Sequence, residues 1–239
     1  MTTHHPDGGA AVDPAAMLDR LFAERYTCRR FLPASVPRAT IEQILAIAQR
    51  APSWCNTQPW QLEITTGAAT EAFRTGLRGA IESGTVGPDL PFPETYRGVY
   101  AERRKTCAVA LYDSLGITGD RDASGRQTMR NFDLFDAPHV AVLTTTADLG
   151  VYGVLDCGVY LGALLSAATA CGVATAPQAA PAMAAPFIRE FFDLAENRQV
   201  VCAVSFGYAD PDAPENGFRT ERAGHAEVVR FVDTAPAAR

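Results

Sequence analysis

Apolar and polar positions along this chain follow two periods, and these predict most of its elements. Leu18, Leu21 and Phe22 recur at helical spacing over residues 14–25, behind Asp13 as an N-cap. Residues 25–38, RYTCRRFLPASVPR, are too proline-punctuated for a helix. Ile41, Ile44, Leu45 and Ala48 stripe a second helix, which starts at Thr40, where Thr40 and Gln43 have capping-box spacing, and stops at Pro52. QLEITT (61–66) alternates as a half-buried strand does, and residues 68–83 read as a helix. The β-branched runs HVAVLTTT (139–146) and QVVCAVSFGY (199–208) predict buried strands, with a short helix near 186–195 before the second. Residues 84–131, including GDRDASGRQ, lose the pattern and read as an inserted lid holding one helix around 97–115.

Residues 151–173, VYGVLDCGVYLGALLSAATACGV, are apolar enough and long enough to span a bilayer. Asp156, the abundance of Ala and Gly and the lack of basic flanks favour a buried helix of a protein with no membrane partner. Gly158, Gly162, Ser166 and Ala170 recur every four residues, a stripe that admits close approach of another helix. Burial within one subunit and a homodimer interface both fit that stripe.

Composition narrows the function classes. The chain has 239 residues, 47% of them hydrophobic and 20% charged, with a formal net charge of −6. That charge argues against nucleic acid and anionic membranes as partners, while leaving room for a local basic pocket. The six cysteines form no CxxC pair, so neither a metal site nor a disulfide framework is expected, and reduced thiols suit a cytoplasmic protein. Residues 1–13 carry no signal-peptide pattern and read as a disordered lead-in to a single domain at 14–239. There is no G-x-G-x-x-G, Walker A loop, G-x-S-x-G elbow or H-E-x-x-H, so an enzyme of this sequence would draw on an organic cofactor.

Two segments carry candidate chemistry. In RYTCRRF (25–31), Arg25, Thr27 and Arg29 sit at alternate positions, so an extended backbone points two guanidiniums and a hydroxyl one way. By itself this is either a solvated basic patch or a phosphate site. RAPSWCNTQPW (50–60) packs prolines, tryptophans, Asn and Gln into a turn-like stretch. Together with GVATAPQAA (172–180) and NGFRTERAGHAEVV (216–229), in this order, these segments resemble the flavin-dependent nitroreductase family from residue 17 onward.

The resemblance implies an α+β fold, a mixed sheet flanked by helices, in an intertwined homodimer with two FMN sites at its interface. It implies that Arg25, Tyr26 and Thr27 hold the phosphate and ribityl end, and that Arg29 approaches N1 and the C2 carbonyl. Pro52, Ser53, Trp54 and Asn56 would reach the flavin of the other subunit, with Gln58, Pro59 and Trp60 anchoring that arm. Pro177, Gln178 and Ala179 would lie along the ring, and Arg219 or Arg222 would add a phosphate contact. Cys28 and Cys55 are fillers or redox groups. In the lid, Tyr96, Arg97 and Tyr100 are candidates to meet a small aromatic acceptor, or else pack the lid. The implied activity is ping-pong reduction of nitroaromatics, quinones or similar acceptors by NADPH or NADH. Reductive dehalogenation of the iodotyrosine deiodinase type, a flavin-dependent dehydrogenase and a non-catalytic flavin-binding module are the alternatives.

Overall fold

The computed structural model describes residues 13–234. The expected lead-in lies outside these residues except for Asp13, whose carboxylate accepts the Ala15 N–H at 2.9 Å and caps α1 (Pro14–Glu24). Helix α2 (Arg38–Ala48) starts earlier than its capping-box spacing implies. Pro37, with φ −57°, sets the entry, so Thr40 already lies inside the first turn and no side chain caps the helix.

Among the described residues four strands, β1 (Gln61–Thr66), β2 (His139–Thr146), β3 (Ala174–Gln178) and β4 (Arg198–Gly207), form one sheet in the order β1-β2-β4-β3. Their pairings are all antiparallel; a bridge from Thr27 to Thr175 on the β3 edge supplies parallel character. Helices cover both faces, and β2 shows why. Its Ala141 and Leu143 point to α2 and α6 (Gly150–Ala170), while Val140 and Val142 point to α3 (Ala68–Glu82) and α7 (Ala185–Phe192). On the first face Trp60 stacks on Tyr160 at 4.8 Å, tying the end of the 50–60 segment to α6. A third cluster, including Cys28, Phe31, Phe135 and Ala176, lies beneath the basic segment at the β3 edge.

Two expectations change. The lid contains α4 (Val99–Ser114) and also α5 (Arg121–Met129), within the stretch read as irregular. This helix is polar on nearly every side, so hydrophobic periodicity was silent, and Asp120 starts it by accepting the Ala123 N–H at 2.9 Å. The second change concerns α6, which is buried on one face only. Asp156, Cys157, Tyr160 and Leu164 face the protein, whereas Val151, 75% exposed, lies outward with Tyr152, Leu155 and Val159. The small-residue stripe is also on the outer side: a Cβ added at Gly158 or Gly162 meets nothing within 4 Å. The segment Ala147–Ala170 is long and apolar enough to cross a membrane by length and composition, yet its inner face is part of the core.

Buried His139 locks the second strand to neighbouring segments. Its Nε2 accepts the Val36 N–H at 2.9 Å, Nδ1 lies 3.4 Å from the Thr65 carbonyl, and the ring stacks on Phe206. Burial holds its pKa below the usual histidine value, as an accepting Nε2 requires. The unfolded chain therefore takes up this proton first. The stabilisation is complete above the unfolded pKa of about 6.5 and is lost as pH falls through the folded value. Urea unfolding from pH 7.5 to 5 should show a fall in stability that is smaller in His139→Gln.

Candidate functional site

The end of α1, the extended segment after it, α4 and the C-terminal segment enclose a cavity of about 310 Å³. Arg25, Tyr26, Thr27, Arg29, Arg219 and Arg222 all line it, so residues nearly two hundred positions apart in sequence converge as the resemblance implies. The convergence has a visible cause. Cys28 N–H donates to the Thr175 carbonyl at 2.9 Å, fixing the extended segment on the edge of β3. The buried amide of Asn216, only 6% exposed, then clips the C-terminal segment on top. Its Oδ1 accepts the Arg29 N–H at 2.8 Å, and its Nδ2 donates to the carbonyls of Arg30 and Asp210 at 2.8 and 2.9 Å.

The cavity is cationic without internal compensation. Among the described residues, none of Arg25, Arg29, Arg219 and Arg222 forms a salt bridge to a carboxylate, whereas neighbouring Arg30 pairs with Asp136. Burial lowers the pKa of Arg25, and the charge of Arg222 lowers it further; burial does the same to Arg29. Neutral contacts hold the guanidiniums in place. Arg219 lies 3.9 Å from the centre of the Tyr26 ring, and Arg29 lies 5.2 Å from that of Phe218. Four such groups around one space fit an anion with several oxygens, and a phosphate monoester on a polar chain is of that kind. Both Arg219 and Arg222 line the cavity.

A second cavity of about 230 Å³ adjoins the first at Arg29 and Cys107 and is walled by Leu111, Tyr112 and Phe135 with Arg104 and Asn131. The cationic end thus continues into a space with aromatic and aliphatic walls, a shape that suits a phosphate-bearing aromatic ring system. Gln178, at the end of β3, turns its side chain inward: it donates to the Asn131 carbonyl at 2.8 Å and accepts from the Ser205 hydroxyl at 2.6 Å. It therefore braces Asn131, which lines the second cavity. Pro177 and Ala179 flank it at the strand end.

The 50–60 segment lies on a different part of the molecule. Trp54 lines a separate opening with Leu149, Tyr152 and Asp156, and none of Pro52, Ser53, Trp54 or Asn56 lines the cationic cavity of its own chain. The segment forms a tight turn in which Cys55, Asn56 and Gln58 have φ of 50°, 56° and 47°. Such left-handed residues cost about 1–2 kcal/mol each when they are not glycine. The Ser53 hydroxyl accepts the Gln58 N–H at 2.9 Å, and Trp60 Nε1–H donates to Gln49 at 3.1 Å, so the second half does anchor the arm. Tyr96, Arg97 and Tyr100 are exposed before and at the start of α4 and line neither cavity; the lid face that does includes Arg104, Cys107 and Leu111. The Cys28 thiol donates to the Arg30 carbonyl, and burial raises its pKa to about 11, which makes it a structural group. Cys55 is exposed at the tip of the turn.

Asn216, Asn131, Cys107 and Asp156 were not singled out as site residues in the sequence. Asn216 opens the C-terminal motif and Asp156 is the one charge in its helix, so both had a signal; Asn131 and Cys107 sit in aperiodic lid sequence and had none. Removing the Asn216 amide takes the partner from two part-buried backbone groups, the Arg29 N–H and the Asp210 carbonyl, while the Arg30 carbonyl keeps the Asp210 N–H and the Cys28 thiol. Asn216→Ala should lower stability by about 1–3 kcal/mol in urea unfolding, and Asn216→Asp should recover only the bond from Arg29 N–H.

Comparison with known proteins places the chain in a family. The model of the nitroreductase family matches residues 22–208. The nitroreductase NfnB of Mycolicibacterium smegmatis is 37% identical over 225 residues, covering 93% of this chain and 96% of that protein. A 4-nitrobenzoate reductase of Pseudomonas putida is 34% identical, covering 85% and 90%. Among solved structures, the FMN-dependent nitroreductase NfnB from Mycobacterium smegmatis in complex with NADPH superposes with a TM-score of 0.88 at 36% identity, over 92% of this chain and all of that one. With the family match spanning its strands and its basic segment, this chain belongs to the nitroreductase family.

Proposed function

We propose that the protein is an FMN-dependent oxidoreductase that uses NADPH or NADH to reduce nitroaromatic, quinone or similar electron-poor acceptors. The observation that carries this reading is the cluster of four guanidiniums, unpaired among the described residues, opening into a cavity with aromatic walls. Relatives named as nitroreductases and as a 4-nitrobenzoate reductase support the substrate class, and a neighbour described as FMN-dependent and in complex with NADPH supports the cofactor and donor. When bound, FMN supplies hydride transfer from a nicotinamide to the acceptor.

This chain's residues would do the rest. Arg25, Tyr26, Thr27, Arg219 and Arg222 hold the phosphate and ribityl end. Arg29, which belongs to both cavities, sits where the ring would begin and stabilises negative charge there. Asn131, braced by Gln178, supplies an amide beside it. Pro52, Ser53, Trp54 and Asn56 serve the flavin of a second copy, a role supported by their absence from the lining of their own chain's cavity. Exposed apolar groups on α1, α6 and the C-terminal segment, with Phe22 61% and Phe231 79% exposed, suit such a homodimer. Tyr96, Arg97 and Tyr100 would form its outer lip toward the acceptor, where Arg104 stacks over Tyr96. Six free cysteines suit a reducing cytoplasm.

Replacing Arg29 separates this reading from a general basic patch. Losing one charge-assisted contact of about 1.5–3 kcal/mol should weaken FMN binding by roughly tenfold to a hundredfold in Arg29→Ala, with Arg29→Lys between it and the wild type. Flavin-fluorescence titration measures the affinity, and NADPH consumption with a nitroaromatic measures turnover. Unchanged affinity and turnover in Arg29→Ala would remove this residue from the site. Wild-type protein that binds FMN but never turns over more than once per flavin is a binding module.

A further inference from the structure

Helix α6 runs 21 residues with a single charged side chain, Asp156. It is 6% exposed and forms no salt bridge among the described residues. A buried carboxylate without a counter-ion persists only where donors surround it. Its side-chain hydrogen bonds come from one place, the arm at residues 53–58. The Trp54 N–H is shared between the two oxygens at 3.1 and 3.2 Å, and the Thr57 hydroxyl lies 3.5 Å from Oδ2.

The reason lies in how the arm uses its own groups. Ser53 occupies the cap position of the short 54–56 turn, yet its hydroxyl is engaged at the far end of the loop by Gln58 N–H and makes no cap bond. The first free N–H of the turn, that of Trp54, is therefore capped from outside by Asp156. One turn earlier on α6, Tyr152 meets the Trp54 ring edge-on at 4.3 Å. The helix grips both the backbone and the ring of the residue that leads into two left-handed positions, Cys55 and Asn56. Left-handed non-glycine residues hold only where their surroundings fix them.

We propose that Asp156 is the positioning residue of the arm: it caps the 54–56 turn from α6 and thereby holds Trp54 and Asn56 in the shape that a second copy's flavin requires. This rests on the reading that the arm serves the FMN site of another subunit. In this proposal Asp156 acts through the turn, by its bond to the Trp54 N–H.

Two measurements on the wild type, Asp156→Ala and Asp156→Asn test it. Hydrogen–deuterium exchange reports the arm directly. Asp156→Ala should speed exchange in a peptide spanning residues 50–60 about tenfold or more while leaving the sheet peptides as they are, and Asp156→Asn, which keeps one acceptor, should restore most of the protection. Flavin release from the holoprotein, followed by fluorescence, should be about tenfold faster in the alanine variant. The KM for a nitroaromatic acceptor should rise more than kcat falls, and the asparagine variant should stay near wild type in both. Wild-type exchange in Asp156→Ala overturns the proposal, as does faster exchange throughout the chain that asparagine does not rescue, since that marks an ordinary fold anchor. A loosened arm with wild-type flavin release and KM overturns its functional half. Wild-type protein that takes up no flavin defeats the proposed function instead, and exchange in the arm still decides whether Asp156 holds the turn.

Discussion

Positive charge gathered without a counter-ion is the constraint around which this molecule is arranged. Arg25, Arg29, Arg219 and Arg222 come from opposite ends of an acidic chain and share one cavity, each without a carboxylate partner among the described residues. Like charges this close repel, and partial burial lowers the pKa of Arg25 and Arg29. Specific neutral contacts offset that cost: the Asn216 amide, the Tyr26 and Phe218 rings, and the hydrogen bond that joins the basic segment to the β3 edge. The arrangement becomes favourable once a multivalent anion is added, and this links fold to cofactor in the proposed function.

The same sheet places the two halves of the proposed site far apart on one chain. The basic segment rides on the β3 edge, whereas the 50–60 arm follows α2, leads into β1 and is gripped by α6. In the proposed homodimer, one chain brings only one half to each flavin site. The exposed side of α6, with its small residues and the apolar groups near its start, and the exposed apolar residues near the C-terminus give a second copy a surface to cover. In that proposal, flavin site and subunit contact are two consequences of one topology.

Much of the fold was legible because its apolar periods were strong. The strands at 61–66 and 139–146 and the helix at 14–24 stand where alternation, a β-branched run and helical spacing put them. Helix α5 was not, because a polar helix carries no stripe, and the start of α2 moved because a proline overrode a side-chain cap. In the site, the alternation of Arg25, Thr27 and Arg29 is a property of extended backbone and was readable, and so was the basic C-terminal motif. The partners that make the cavity were harder to see. Asn131 and Cys107 enter through lid packing, and the one charge on α6, which in the sequence argues only against a membrane span, caps a distant turn. Contacts between distant segments leave little trace in local pattern, and both the clip at Asn216 and the cap at Asp156 are of that kind.

The absorption spectrum of the purified protein tests the central claim most directly. If the cavity of four guanidiniums, unpaired among the described residues, holds FMN as proposed, the purified protein is yellow, releases FMN on denaturation and is bleached by NADPH or NADH under nitrogen. Protein that is colourless and stays so after incubation with FMN would contradict it.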